Sequence, residues 1–177
     1  MADTRNGIVQ VYTGNGKGKT TAAWGQALRA VGRGWKVAVV RFLKPDPSGE
    51  DAVAERLSPD VTLFGRTSPY DPTVDQRENT VLRDESRGSF EQAASIVKSG
   101  EYDLVVLDEI NVVLHYGFVS AREFLDALAE RPSHVEVVAT GRYAPEELVQ
   151  AADLVTEMRD IKHPAKLGLA ARRGVEY

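Results

Sequence analysis

A chain of 177 residues fits one domain with a proper core, and its 42% apolar and 27% charged content is that of a folded globular protein rather than a disordered one. The net charge of −4, with acids and bases interspersed, excludes the clustered Lys and Arg of a duplex-binding surface, so no nucleic acid is expected as a partner. No apolar run of about 18 residues and no basic-then-apolar leader occurs, so neither a membrane span nor a secretory signal is expected. Cysteine is absent, which rules out disulfides, thiolate nucleophiles and Cys-held metals and suits a cytoplasmic location.

Residues 8–12 (IVQVY) form a short β-rich run ending at a glycine cluster. Residues 19–32 then read as a helix stopped by Gly32 and Gly34, and 36–43 (KVAVVRFL) as a second strand. A turn-rich stretch from Lys44 to Gly49 leads to a short helix near 52–57 and a third strand near 61–64. Residues 65–73 (GRTSPYDPT) are too rich in proline, glycine and small polar residues for regular structure. Val74, Val81, Leu82, Phe90, Ala93, Ala94 and Val97 then trace a helical stripe through 74–99.

Leu104–Leu107, an apolar run bounded by acids, has the pattern of a strand buried on both faces. Ser120 to Glu123 reads as a capping box opening a helix to about Glu130. Residues 135–139 form another strand, 145–152 a helix with proline in its first turn, and 154–158 a last strand. Strands alternating with helices imply right-handed crossovers and one α/β domain over residues 1–177: a parallel sheet covered by helices on both faces. Ligands in such sheets bind beyond the carboxyl ends of the strands, where the motifs fall.

The first motif is Thr13-Gly14-Asn15-Gly16-Lys17-Gly18-Lys19-Thr20-Thr21. A phosphate-cradling loop needs glycines so that backbone N–H groups can face phosphate oxygens, a lysine to meet their charge and a hydroxyl for magnesium. Gly14, Gly16 and Gly18 meet the first need, Lys19 the second and Thr20 the third. The helix that follows points its positive end at the same place. One detail is irregular: the usual spacing puts the first glycine at Thr13, and Gly14 stands one residue too close. Gly14 to Thr21 is therefore read as an ATP-binding loop of variant form.

The second motif is Asp103-Leu-Val-Val-Leu-Asp108-Glu109, a buried-type strand ending in two carboxylates. Magnesium bridging phosphate oxygens takes hydroxyl, carboxylate and water ligands, so Thr20, Asp108 and Glu109 form the candidate set. Asp108 and Glu109 alternate in direction, so one faces the metal and the other orients a neighbour; the lesser alternative is that they simply cap the next helix. Arg142, after strand 135–139 in Thr140-Gly141-Arg142, either reaches a phosphate or pairs with a surface acid. His115, His134 and His163 have no metal-ligand spacing. His115 and His134 are read as structural, and Lys162-His163-Pro164 has no physical interpretation from the sequence. No hydrolytic triad is present, as fits a nucleophile that arrives with the substrate.

Together these residues resemble the P-loop corrinoid adenosyltransferases, with a P-loop NTPase-like (RecA-like) fold. The resemblance covers nearly the whole chain and is carried by 13–23 (TGNGKGKTTAA), 30–34 leading into 37–44, 105–114 (VVLDEINVVL), 140–142 (TGR), 152–158 (ADLVTEM), 162–164 (KHP) and 174–177 (GVEY). It implies that a Co(I) corrinoid, cobalamin or a precursor, attacks the 5′ carbon of ATP and that triphosphate leaves whole. Co(I) is itself a strong nucleophile, so no base is required, and the charge of the leaving group must be met by Lys19, magnesium and the loop N–H groups. The resemblance further implies ATP held in reversed orientation, magnesium on Thr20 and Glu109, a homodimer, and an electron donor such as a reduced flavin protein.

The chain departs from the family pattern where a Gly-Phe-Thr-Trp-like aromatic segment packs beside the corrin: residues 65–73 offer only Tyr70 to close on the ring. Arg41 stands where a glutamine commonly precedes Phe-Leu-Lys, and only about seven residues precede the first strand, short of a helix reaching a neighbour's site. Two rival readings follow: an ATP-hydrolysing regulator in which Glu109 positions water, and a module that retains both sites with little turnover.

Overall fold

Val37, Val39, Leu104, Val106 and Val138 point to one face of a sheet, and Ala38, Val40, Val105, Leu107 and Val137 to the other. Both faces are apolar because both are covered, as an all-parallel sheet requires. The computed structural model describes residues 6–44, 48–65, 68, 71, 75–164, 168 and 170–175.

The strands are β1 (Val9–Thr13), β2 (Val37–Arg41), β3 (Val61–Phe64), β4 (Leu104–Asp108), β5 (Glu136–Thr140) and β6 (Leu154–Glu157). They form one six-stranded sheet in the order β3-β2-β4-β5-β1-β6, with every pairing parallel. The helices are α1 (Lys19–Val31), α2 (Gly49–Arg56), α3 (Thr80–Ser99), α4 (Ile110–His115), α5 (Ala121–Ala129) and α6 (Glu146–Ala151). Trp24, Ala27 and Ala30 of α1 and Ala54 of α2 pack on one face. Leu82 and Val97 of α3, Ile110 to Leu114 of α4, Phe124 of α5 and Leu148 of α6 cover the other.

The α/β alternation and parallel sheet read from the sequence are what the chain forms, and most elements differ only at their ends. The long helix starts at Thr80 rather than 74, because the Asn79 side chain caps it by accepting from the Leu82 N–H at 3.1 Å. Val81 consequently lies on the outer face, 59% exposed, and does not belong to the core stripe. The short second helix starts at Gly49, set by a capping box between Ser48 and Asp51. Helix α4 has no counterpart in the sequence reading, since Ile-Asn-Val-Val-Leu after a strand looks like more strand.

β4 and β5 lie at the middle of the sheet, with β4 between β2 and β5. Truncating Leu107 (1% exposed) to alanine is expected to cost about 2–5 kcal/mol in denaturant unfolding, because the covering helices leave little room for collapse around the cavity.

Candidate nucleotide site

β1 runs through Thr13, whose carbonyl accepts from the Met158 N–H at 2.8 Å while its hydroxyl accepts from the Ala144 N–H at 3.3 Å. Thr13 is thus a strand residue, and the loop begins only at Gly14. Gly14 has φ +96°, and a Cβ there would lie 2.4 Å from the Met158 carbonyl oxygen. Gly16 donates its N–H to that same carbonyl at 2.6 Å, and a Cβ on it would fall 2.7 Å from the oxygen. The loop is therefore seated on the exit of β6, and this backbone contact is what demands glycine at both positions. Gly18, φ +119°, turns the chain into α1.

Lys19 is buried (8% exposed), with its ammonium donating to the Gly16 carbonyl at 2.7 Å. Burial lowers its pKa, opposed by the Glu109 carboxylate. Thr20 donates its hydroxyl to Asp108 Oδ1 at 2.9 Å. Asn15, Lys17 and Thr21 line the same cleft, of about 520 Å³, with Gly16, Gly18, Lys19 and Thr20. Gly14 stays behind it, against β6.

β5 stands between β1 and the acidic strand β4, and its last residue closes the gap. The Thr140 hydroxyl donates to Asp108 Oδ1 at 2.6 Å and accepts the Glu109 N–H at 3.0 Å. Asp108 is 1% exposed and Glu109 has φ +69°, a left-handed turn that starts α4 and breaks the strand alternation. The two acids diverge through this turn rather than by strand alternation: Asp108 is engaged by protein donors, while Glu109 lines the cleft. Glu109 Oε2 is buried with no hydrogen-bond partner among the described residues. Burial, and then the Asp108 charge, raise the Glu109 carboxyl above the usual carboxylate range. A Cβ on Gly141 would lie 3.2 Å from Oε2, so a side chain there would crowd this carboxylate.

Arg142 lines the cleft with Lys19, Thr20 and Glu109. Tyr70 lies outside the described residues. Arg41 holds Asp51 through Nη1 at 2.9 Å, so it braces β2 against the capping box of α2. It borders a separate, more open hollow of about 820 Å³ beside β3 that contains none of the loop residues.

Several residues at the cleft were given no individual role by the sequence reading. The Lys44 ammonium ion-pairs with Asp108 Oδ2 and donates to the Thr20 hydroxyl at 3.0 Å. Burial alone would lower the Lys44 pKa, but the Asp108 carboxylate raises it overall. Trp24, Leu28 and Val53 form an apolar wall, and His163, Gly174 and Val175 close the cleft from the C-terminal segment. Lys17 donates to the Val175 carbonyl at 2.6 Å, drawing that segment to the loop. Next to Arg142, Tyr143 is 47% exposed with φ +61°, and its ring lies 4.5 Å from that of His115. For a tyrosine this backbone conformation is costly, of order 1 kcal/mol or more, and such strain is characteristic of functional edges.

Residues 5–177 match the family described as ATP:corrinoid adenosyltransferase BtuR/CobO/CobP. The chain is 36% identical over 178 residues to a corrinoid adenosyltransferase of Pseudomonas aeruginosa, covering all of this chain and 87% of that one. It is 35% identical to the corrinoid adenosyltransferase of Escherichia coli K12 and 34% to CobA of Salmonella typhimurium, in both cases over all of this chain and 89% of the relative. Among solved structures it is similar to the flagellar accessory protein FlaH of Methanocaldococcus jannaschii, with TM-score 0.60 and 12% identity over 86% of this chain and 71% of that one, a likeness of fold.

The seating of the loop on β6 predicts that Gly16→Ala, which would force a methyl group against the Met158 and Arg159 carbonyls, lowers nucleotide affinity at least about tenfold in calorimetric titration. An affinity within twofold of the parent would show that the loop tolerates displacement from β6.

Proposed function

The chain belongs to the ATP:corrinoid adenosyltransferase BtuR/CobO/CobP family, so it is a transferase that moves the adenosyl group of ATP to a corrinoid, and we propose how its own residues divide that work. Gly14 to Thr21 hold the triphosphate through loop N–H groups, Lys19 and Thr20. The observation that carries this reading is the convergence of Lys19, Thr20, Glu109 and Arg142 on one cleft at the carboxyl ends of parallel strands. Opposite the charged end, Trp24, Leu28 and Val53 offer an apolar wall of the kind that takes a base or a ribose face.

Magnesium fits the residues present. The Thr20 hydroxyl and the partnerless Glu109 Oε2 are hard oxygen donors on one cleft, and Asp108 stands directly behind Thr20. When bound, the ion supplies charge for the departing triphosphate. The protein's part is to hold that leaving group: Lys19 leaves the Gly16 carbonyl for a phosphate oxygen, and Arg142 adds a planar pair of donors. In this reading triphosphate leaves whole, because a cobalt nucleophile that attacks the 5′ carbon needs no protein base.

For the corrin, Tyr143 and His115, next to Arg142, offer an exposed aromatic pair in place of the aromatic motif that residues 65–73 lack. The protein works as a cytoplasmic homodimer of single-domain chains, with a reduced flavin protein as electron donor. No helix of the described residues is long and apolar enough to cross a membrane.

Lys19→Ala is expected to weaken ATP binding by about 1.5–3 kcal/mol, with a larger loss in turnover, as read by calorimetry and by cobalt–carbon bond formation. Turnover with ATP, magnesium and reduced corrinoid should release triphosphate; corrinoid-independent release of ADP and phosphate would instead favour an ATPase.

The raised Glu109 pKa sets a pH dependence. A protonated carboxyl cannot hold a divalent ion, so metal-dependent ATP binding should strengthen as pH rises above the usual carboxylate range, and Glu109→Gln should flatten that rise. For folding without ligand the sign reverses: the folded state favours the protonated form, so stability falls as pH rises from the unfolded toward the folded pKa.

A further inference from the structure

Lys44 is the first residue past the Phe42-Leu43 pair that follows β2, and it reaches the end of the neighbouring strand β4. Its ammonium touches both the Thr20 hydroxyl, at 3.0 Å, and Asp108 Oδ2. Asp108 Oδ1 already accepts from Thr20 at 2.9 Å and from Thr140 at 2.6 Å. The carboxylate is 1% exposed, so its charge requires a cation within reach, and Lys44 is that cation. Lys44 thus sits on the same hydroxyl that a divalent ion would need.

The surrounding charge points the same way. Lys17, Lys19, Lys44 and Arg142 line the cleft against Glu50 and Glu109, with Asp108 behind them. Without phosphates, cationic side chains outnumber carboxylates, and a dication has little reason to enter. With a triphosphate present the balance reverses, and the same ammonium gains phosphate oxygens as alternative partners.

We propose that Lys44 is a resident cation on the Thr20–Asp108 pair, which keeps a free divalent ion out and admits it only together with the triphosphate. The inference rests on reading Thr20 and Glu109 as the metal end of the site. Lys44 acts here as a positioning residue: it holds Asp108 and Thr20 in place in the empty protein and shifts toward phosphate on loading. Asp108, in this arrangement, serves Lys44 and Thr140 rather than the metal directly.

The test uses manganese(II) as the probe, followed by its free-ion paramagnetic resonance signal, with and without ATP. Wild-type protein should bind manganese weakly alone and much more tightly with ATP. Lys44→Met should bind manganese alone at least about tenfold more tightly than wild type, while its metal-free ATP affinity falls. Lys44→Arg keeps the charge and should leave manganese binding alone as weak as in wild type. Lys44→Gln, which retains a donor for Asp108 without the charge, should reproduce the gain and decides the matter if the methionine variant does not fold. Nucleotide-free manganese affinity in the neutral variants at or below that of wild type, with manganese–ATP binding intact, overturns the proposal. Failure of wild type to bind manganese with ATP would instead overturn the underlying reading of the site.

Discussion

Asp108 is a carboxylate buried to 1% exposure, and it is met by donors that follow three different strands: Thr20 after β1, Lys44 after β2 and Thr140 at the end of β5. A buried charge left without such partners costs several kcal/mol, so these four chain segments have to meet at one point. Their meeting fixes the far side of the nucleotide cleft. The Thr140 hydroxyl that donates to Asp108 also receives the Glu109 N–H, which helps hold the left-handed turn that swings Glu109 out of the strand and into the cleft. Strand register brings these ends together, since β2, β4, β5 and β1 are neighbours running in one direction.

The near side of the cleft is fixed by a different contact, backbone to backbone. Gly14 and Gly16 press against the Met158 carbonyl, and Lys17 draws in Val175. β6 is an edge strand with Leu154 and Val155 partly exposed, so it contributes little to the core. Its role is positional: it sets the height of the phosphate loop above the sheet and leads the chain back across the cleft's mouth through His163.

The two sides carry different chemistry. Glycines and a lysine address a polyanion by N–H groups and charge, which tolerates small shifts of the ligand. The Thr20, Glu109 and Lys44 end is built from short, geometrically defined contacts, where a displacement of a fraction of an ångström decides which cation is preferred. Burial of Glu109 with an oxygen lacking a partner is a local cost in the empty protein, of the kind that a functional group retains and a structural one does not.

Much of this was written in the sequence itself. Apolar runs of four or five residues, separated by helix-length amphipathic stretches, determine parallel strands buried on both faces, and Gly-Lys-Thr at a strand-to-helix junction determines a phosphate loop, because both depend on neighbours along the chain. The tertiary structure alone decided the rest. Lys44, Thr140 and His163 stand 24 to 143 residues from Thr20 and share no periodicity with it, so only strand order could bring them to one cleft. The helix at Ile110–His115 was hidden because β-branched residues favour strand locally, and only the left-handed Glu109 turns them into a helix. The irregular glycine spacing likewise had no meaning until β6 was in place: Thr13 belongs to the strand, and the glycines that follow yield to a backbone carbonyl nearly 150 residues further along the chain.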